Sequence, residues 1–113
     1  MDYNLDGKVF RAVSNAPNGE VGSETRFHYR QNGKIVTATY HGGEIVSGHL
    51  IATVLDGGQL DMRYHHVNVK GELMLGQCLS TPKRMPDGKF RFLEEWQWLS
   101  GDRSSGRSEI EEV

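Results

Sequence analysis

Glycine-containing turn signals divide this chain into short segments. They occur at Asp6-Gly7, Asn18-Gly19, Asn32-Gly33, Gly42-Gly43, Asp56-Gly57-Gly58, Lys70-Gly71 and Asp87-Gly88. Asn-Gly and Asp-Gly pairs supply the positive φ that tight hairpin turns require, at little steric cost. A spacing of roughly 10 to 15 residues between turns is typical of an all-β chain whose strands are joined by hairpins.

The segments between the turns alternate between apolar and polar residues, which is the pattern of half-buried strands. We predict eight strands, at residues 9–14, 24–31, 34–41, 45–55, 59–68, 72–81, 89–99 and 106–113. The last of these could instead be a frayed acidic tail. The polar segments 15–23 and 101–105 are predicted loops, and no segment has an apolar stripe of helical period and length.

The alternation also assigns side chains to common faces of the predicted strands. Leu60, Met62, Tyr64 and His66 share one face, as do Phe90, Phe92, Trp96 and Trp98. In the fourth predicted strand, Ile45 and Ile51 fall on one face and Leu50 on the other, so both faces are apolar. A register slip of one residue would exchange every face.

The chain contains an internal repeat. Residues 43–53 align without gaps on residues 71–81; both copies begin with Gly-Glu and carry glycine at their sixth position, Gly48 and Gly76. The repeated unit is a turn followed by a strand. A glycine inside a strand predicts a sharp bend or a bulge, and such bends let a sheet coil and close on itself.

Eight antiparallel strands with short connections favour one domain over residues 1–113. We predict an all-β antiparallel meander that closes into a small up-and-down barrel, an architecture that resembles those of lipocalins and avidins. Closure removes the exposed strand edges that invite aggregation. The interior of an eight-stranded barrel is either filled by side chains or holds one small ligand.

Composition excludes several classes of function. With 13 basic and 15 acidic residues the net charge is −2, which argues against a nucleic-acid-binding protein. No apolar run is long enough for a membrane helix, and the first residues lack the features of a signal peptide. The single cysteine, Cys78, fits a reducing compartment. We expect a cytoplasmic chain with neither nucleic-acid nor membrane partners.

Glu94 is the most informative candidate for a site because it interrupts the aromatic face of the seventh predicted strand. Either it lies at a bend or faces solvent beside a packed core wall, or it lies in a pocket with Trp96. Burial would raise its pKa unless a partner such as His66 or an arginine favours ionisation. Apolar pockets with a few polar groups are the usual small-molecule sites. We predict a ligand site formed by Tyr29, Tyr40, Tyr64, His66, Glu94 and Trp96.

The remaining reactive residues indicate no second site. None of the five histidines has the spacing of metal ligands, and His65 and His66 point to opposite sides of a strand, so we predict neither a metal nor a cofactor. Cys78 is expected to act as a small buried apolar side chain. The chain has neither a Gly-x-Ser-x-Gly motif nor a glycine-rich phosphate loop.

Four segments carry a resemblance to a known family: ETRFHY (24–29), GHLIA (48–52), LDMRY (60–64) and EEWQW (94–98). They resemble small bacterial proteins of about this length that are often labelled N-acetylglutamate synthase. The resemblance runs over nearly the whole chain, and the label implies an acetyltransferase. Gcn5-type acetyltransferases hold coenzyme A with a loop that leads into a helix. The nearest match here, residues 103–108, has no room for a helix after it.

Three functions remain open. The leading hypothesis is a non-enzymatic protein that binds a small ligand inside the barrel or at its mouth. The second is an enzyme, either the acetyltransferase of the family label or an isomerase or hydrolase with Glu94 and His66 as its acid–base pair. The third is a homodimeric interaction module, because the fourth predicted strand has two apolar faces.

Overall fold

A computed structural model describes residues 3–113 and shows eight antiparallel strands in a closed barrel. The strands are β1 (Val9–Asn15), β2 (Arg26–Asn32), β3 (Ile35–Gly42), β4 (Ile45–Val54), β5 (Leu60–Asn68), β6 (Leu73–Arg84), β7 (Phe90–Trp98) and β8 (Ser105–Glu112). They pair in chain order, and β1 closes the barrel against β8. The predicted all-β meander and its closure are confirmed. Within residues 3–113 we find no helix with the length and apolarity that a membrane crossing requires.

Strand boundaries differ little from those predicted. The largest difference is in β6, predicted to end at Thr81, which continues to Arg84. Pro82 lies within β6, directly opposite Phe92. The acidic C-terminal segment forms β8, which pairs with both β1 and β7 and is therefore a strand and not a frayed tail.

The barrel has one plugged end, which we call the closed end. The β2–β3, β4–β5 and β6–β7 hairpins lie there, together with the segment that precedes β1. Tyr3 and Leu5 cover this end: the Tyr3 hydroxyl donates to the carbonyl of Gly58 at 2.7 Å, and Leu5 is fully buried. The opposite end, which we call the open end, carries the longest connection, the β1–β2 loop.

An apolar core fills the barrel beside the closed end. Phe10, Leu60, Phe92 and Ile110 are all fully buried there. The rings of Phe10 and Phe92 meet with their centroids 5.5 Å apart. Each such side chain contributes about 1.5–3 kcal/mol through removal of apolar surface from water. We therefore expect truncations in this part of the barrel to be strongly destabilising.

The face assignment of the fourth predicted strand is wrong on one point. Ile45 and Leu50 are both buried, whereas Ile51 is exposed. The pairing of β4 with β5 shifts between Ile45 and Ser47, which inserts one extra residue. Such a bulge exchanges inward and outward faces beyond it. Ile45 therefore faces inward although the alternation places it with Ile51.

Mid-strand glycines lie directly opposite aromatic residues on the neighbouring strand. The pairs are Tyr40 with Gly48, Tyr64 with Gly76, and Trp96 with Gly106. A Cβ atom at any of these glycines would overlap the ring. The glycines therefore let three aromatic rings lie flat against the wall near the open end, as in the aromatic covering of strand glycines.

This arrangement explains the internal repeat and adds a third copy to it. Gly101 and Gly106 have the same spacing as Gly43 and Gly48. In every copy the first glycine precedes a strand and the second lies within it; the strands are β4, β6 and β8. Strand pairing runs unbroken through Gly76, so no bulge lies there. Glycine is needed at position 76 because a side chain there would occupy the space of the Tyr64 ring.

Candidate functional site

A cavity of about 50 Å³ lies inside the barrel at the open end. Inward-facing residues of the strands and residues of the β1–β2 loop line it. Its ring-bearing walls include Tyr40, Tyr64, Trp96 and Trp98, and its polar side chains are those of Asn15, Glu20, Glu94 and Ser108. A space of this size has room for about four water molecules, at roughly 10–15 Å³ each.

Larger hollows on the surface are less suited to hold a ligand. One of about 510 Å³ is bordered by Arg63, Gln77 and Glu95. It lies on the outer face of β5 to β8, and most of the side chains that border it are polar and exposed to solvent. Ligand sites are concave and bury most of their ligand. We therefore take the interior cavity as the candidate site.

Glu94 is the central polar group of this cavity. It is partly buried on β7, between Ser80 of β6 and Ser108 of β8 in the same cross-strand row. The Ser108 hydroxyl donates to Oε1 at 3.2 Å, and the Ser80 hydroxyl donates to Oε2 at 3.3 Å. Burial raises the pKa of Glu94 to about 7, and the two serine hydrogen bonds oppose part of this shift.

The aromatic walls form a connected cluster around the cavity. The ring centroids of Trp96 and Trp98 are 5.5 Å apart, and those of Tyr64 and Trp98 are 5.9 Å apart in an edge-to-face arrangement. Such geometries are favoured by the quadrupoles of the rings. The cluster fixes the shape of the cavity on the side of β5, β6 and β7.

The β1–β2 loop covers the cavity and is fastened to these walls. The Trp96 indole nitrogen donates to Oδ1 of Asn15 at 3.0 Å, and that of Trp98 donates to the carbonyl of Asn18 at 3.1 Å. The amide of Asn15 donates to the carbonyl of Val21 at 2.9 Å, which holds the loop in a compact turn. Both tryptophans therefore bind the cover as well as line the cavity.

A buried polar chain secures the far side of the loop. Glu20 Oε1 lies 2.7 Å from Nε2 of His66, whose Nδ1 lies 2.9 Å from the Tyr40 hydroxyl. The Asn68 amide donates to the other Glu20 oxygen at 2.9 Å. A carboxylate can only accept, so the network assigns the His66 proton to Nε2 and leaves Nδ1 to accept from Tyr40. Burial lowers the pKa of His66, although Glu20 opposes the shift, so the ring is neutral at pH 7.

Tyr29 lies deeper in the barrel, against Phe10, with ring centroids 4.9 Å apart. Its hydroxyl is buried and has no hydrogen-bond partner among residues 3–113. Burial, and next the charge of Glu94, raise the pKa of Tyr29 well above its ordinary value. A buried hydroxyl without a partner costs stability.

The structure brings most of the predicted site residues together. Tyr40, Tyr64, Glu94 and Trp96 line the cavity. His66 lies behind Tyr40 and reaches the loop through Glu20, while Tyr29 faces inward but does not line the cavity. Their role in binding a ligand stays a prediction.

Glu94 and His66, the acid–base pair of the enzyme hypothesis, have different hydrogen-bond partners. Among the described residues, the side-chain hydrogen bonds of Glu94 come from Ser80 and Ser108. Those of His66 involve Tyr40 and Glu20. Neither His66 nor an arginine is hydrogen-bonded to Glu94 among these residues, so the raised pKa expected of a buried carboxyl group without a charged partner is what the structure shows.

The other reactive residues lie where the sequence predicts. Cys78 is buried, and burial raises the pKa of its thiol, which suppresses the thiolate that a nucleophile requires. His65 is exposed and His66 is buried on opposite faces of β5. Residues 3–113 contain no group of three or more His, Cys, Asp or Glu arranged to hold a metal ion. Residues 103–108, the nearest match to a coenzyme A loop, run into β8.

Sequence reasoning missed several residues of the site. Trp98 shares the inward face of Trp96. The alternation of inward and outward residues along the seventh strand was sufficient to include Trp98 in the predicted site. Ser80 and Ser108 also follow the alternation of their strands, but nothing in the sequence pairs them with Glu94. Asn15 ends β1, and Glu20 comes from the β1–β2 loop, where no periodicity exists to say which side chains turn inward.

A comparison with protein-family models supports this reading of the fold. The model described as "Avidin-like protein" matches residues 3–113. No curated protein matches the chain. Because the family match spans all the strands of the barrel, the chain belongs to the avidin-like protein family.

Proposed function

We propose that this chain binds a small ligand in the cavity at the open end of the barrel. The observation that carries the proposal is the position of Glu94, a carboxyl group that faces a cavity between aromatic walls. Burial raises the pKa of Glu94 to about 7, so this group ionises less readily than an ordinary carboxyl group. Titratable groups perturbed by burial inside a pocket are candidates for a functional role.

The covering loop supports the same proposal. Strands surround the cavity on its sides, and the apolar core fills the barrel on the side of the closed end. A ligand must then enter where the β1–β2 loop lies. Closure of a loop over a bound molecule excludes water and strengthens polar contacts with it. The hydrogen bonds that join Asn18 to Trp98 and Glu20 to His66 would hold the loop shut after binding.

Native mass spectrometry of freshly purified protein, followed by a metabolite panel, would test the proposal. Avidin binds biotin, so biotin belongs in the panel. We expect a reproducible added mass on the intact chain, or a panel member that shifts the fluorescence of Trp96 and Trp98. No added mass, together with no response across the panel, would contradict the proposal.

A matched pair of variants at Cys78 locates the binding. Cys78 lines the cavity, so Cys78→Leu would fill it, whereas Cys78→Ala leaves it open. We expect Cys78→Leu to abolish the response and Cys78→Ala to keep it. Equal responses from both variants would place the ligand elsewhere. The fluorescence of the two buried tryptophans shows whether each variant is folded.

A homodimer is a second proposal, and it concerns a different surface. Three apolar side chains are exposed on the outer face of the barrel: Ile51 on β4, and Leu75 and Leu79 on β6. Exposed apolar patches of this kind often mark contacts between chains. Sedimentation equilibrium tests it: we expect a dimer, and a monomer at every concentration would contradict it.

A further inference from the structure

We propose that the cavity selects a small organic cation, one whose ammonium, amidinium or guanidinium group pairs with Glu94. This inference rests on the proposed function, since it names the chemical class of ligand for the same cavity. It goes beyond the family match, which says nothing about charge. Four observations carry it: the charge of the lining, the unfilled acceptors of Glu94, the aromatic walls and the size of the cavity.

The lining of the cavity carries negative charge only. Among residues 3–113, its acidic residues are Glu20 and Glu94, and no lysine or arginine lines it. His66, the closest basic side chain to Glu20, is neutral at pH 7 because burial lowers its pKa. A cavity lined by one sign of charge attracts ligands of the opposite sign. It also rejects anions, since a like charge in a desolvated site is costly.

Glu94 keeps acceptor capacity that its neighbours do not use. A carboxylate offers about four lone-pair sites. The two serine hydroxyls occupy one on each oxygen, at 3.2 and 3.3 Å, which is long for a bond to a carboxylate. Neither hydroxyl carries a charge. An N–H cation would supply shorter, charge-assisted bonds that the two serines do not provide.

The walls next to Glu94 suit a cation as well. Tyr64, Trp96 and Trp98 surround the cavity with aromatic rings. A cation within about 6 Å of a ring face is attracted by the ring quadrupole, and most strongly when it is desolvated. Aromatic walls therefore compensate a cation for part of the hydration that it loses, and they give an anion no such compensation.

The size of the cavity limits the ligand to a few non-hydrogen atoms while the loop is shut. About 50 Å³ corresponds to roughly four water molecules. Methylammonium, guanidinium and acetamidinium are of this size. A longer molecule would enter with its cationic end only, and its remaining part would displace the β1–β2 loop.

Three isosteric probes separate charge from shape: acetamidinium, acetamide and acetate. They share a planar skeleton and differ in charge. The chain has two tryptophans, and both lie at the cavity, so their two indole N–H signals in NMR spectra report binding there. We expect acetamidinium to bind at least about tenfold more tightly than acetamide, and acetate to cause no saturable shift.

Two neighbouring glutamates give a matched control. Glu94→Gln keeps hydrogen-bonding groups for both serines but removes the charge, so we expect the preference for acetamidinium over acetamide to disappear. Glu95→Gln changes the adjacent exposed residue on the outer face, and we expect it to leave the preference unchanged. The wild-type probe series stands on its own if Glu94→Gln fails to fold.

The pH profile gives a readout that a purely structural role would not move. Ser80 and Ser108 flank Glu94 on the neighbouring strands β6 and β8. Besides burial, the charge of Glu94 raises the pKa values of Cys78, Tyr29, Tyr40 and Tyr64, which face the barrel interior, and Glu20 lines the same cavity from the loop. Burial raises the pKa of the thiol and of these tyrosines, so they stay neutral from pH 5.5 to 8. Ionisation of Glu94 over this range should raise acetamidinium affinity about tenfold or more.

The outcomes distinguish this inference from the proposed function. If acetamide or acetate binds as tightly as acetamidinium, or if a panel ligand binds and acetamidinium does not, the cavity binds ligands but does not select cations. If neither acetamidinium nor any panel member moves the indole signals, both proposals fail. Acetamidinium binding that Glu94→Gln leaves unchanged would also overturn the inference.

Discussion

The two ends of this barrel are built from the same eight strands but are filled differently. At the closed end, Phe10, Leu60, Phe92 and Ile110 pack with no exposed surface, and Tyr3 and Leu5 cover them. At the open end, aromatic rings lie against glycines, a carboxyl group faces a cavity, and a long loop covers it. The closed end is filled by packed side chains, whereas the open end keeps a cavity.

The comparison predicts the largest stability loss at the closed end. Phe92→Ala removes a fully buried ring and should lower the free energy of unfolding by about 3–5 kcal/mol, through lost burial and the cavity it leaves. Leu93→Ala is the control, since Leu93 is 44% exposed on the outer face. Urea denaturation measures both. Similar losses for the two variants would contradict the division of roles.

Removal of the charge of Glu94 should stabilise the protein. The folded-state pKa of Glu94, about 7, lies above its unfolded value, so the protein loses stability as pH rises from about 4.5 through 7. At pH 8 this cost is at most about 3 kcal/mol. Glu94→Gln should therefore gain stability relative to wild type between pH 5 and pH 8, and Glu95→Gln should not. Denaturation at several pH values measures the free energy of unfolding of each protein. If this free energy changes with pH in the same way for Glu94→Gln and for wild type, the expectation is refuted.

The aromatic–glycine pairs give a smaller effect. Gly76→Ala places a Cβ atom against the Tyr64 ring, which must then move toward the cavity. We expect a loss of about 1–3 kcal/mol, typical of overpacking. Gly57→Ala is the control, because nothing lies within 4 Å of its added Cβ atom. Thermal denaturation distinguishes the two variants. A Gly76→Ala variant as stable as wild type would contradict the proposed role of this glycine.

The smallest global effect belongs to the loop. Glu20→Ala removes the hydrogen bonds to His66 and Asn68 and should cost about 1 kcal/mol or little more. Its local effect should be larger: amide hydrogen exchange in residues 16–24 should speed up while exchange at the closed end stays slow. Glu24→Ala, at an exposed residue of the same connection, is the control. Unchanged exchange in the loop would mean that Glu20 does not hold it.

The strands and their closure could be predicted from sequence because both depend on local, periodic signals. Turn glycines mark the hairpins, and alternation marks the inward faces, as for Leu60, Met62 and Tyr64. The alternation fails where β4 contains an extra residue, so Ile45 turns inward unexpectedly. No feature of the sequence around Ile45 announces that bulge.

The site was harder to predict because its contacts join distant parts of the chain. The sequence indicates that Glu94 faces a pocket with Tyr40, Tyr64 and Trp96, but it cannot say which polar groups meet it. The register of three strands brings Ser80 and Ser108 beside Glu94. The carboxylate that meets His66 is Glu20, from a loop without periodicity.

The most direct test of the difference between the two ends is an NMR titration with a panel ligand, comparing wild type with Cys78→Leu. We predict that signals of Trp96, Trp98 and Tyr64 shift in wild type, that those of Phe92 and Leu60 stay in place, and that Cys78→Leu removes the shifts. Shifts centred on the closed end or on the outer face, or shifts that persist in Cys78→Leu, would contradict a ligand site at the open end.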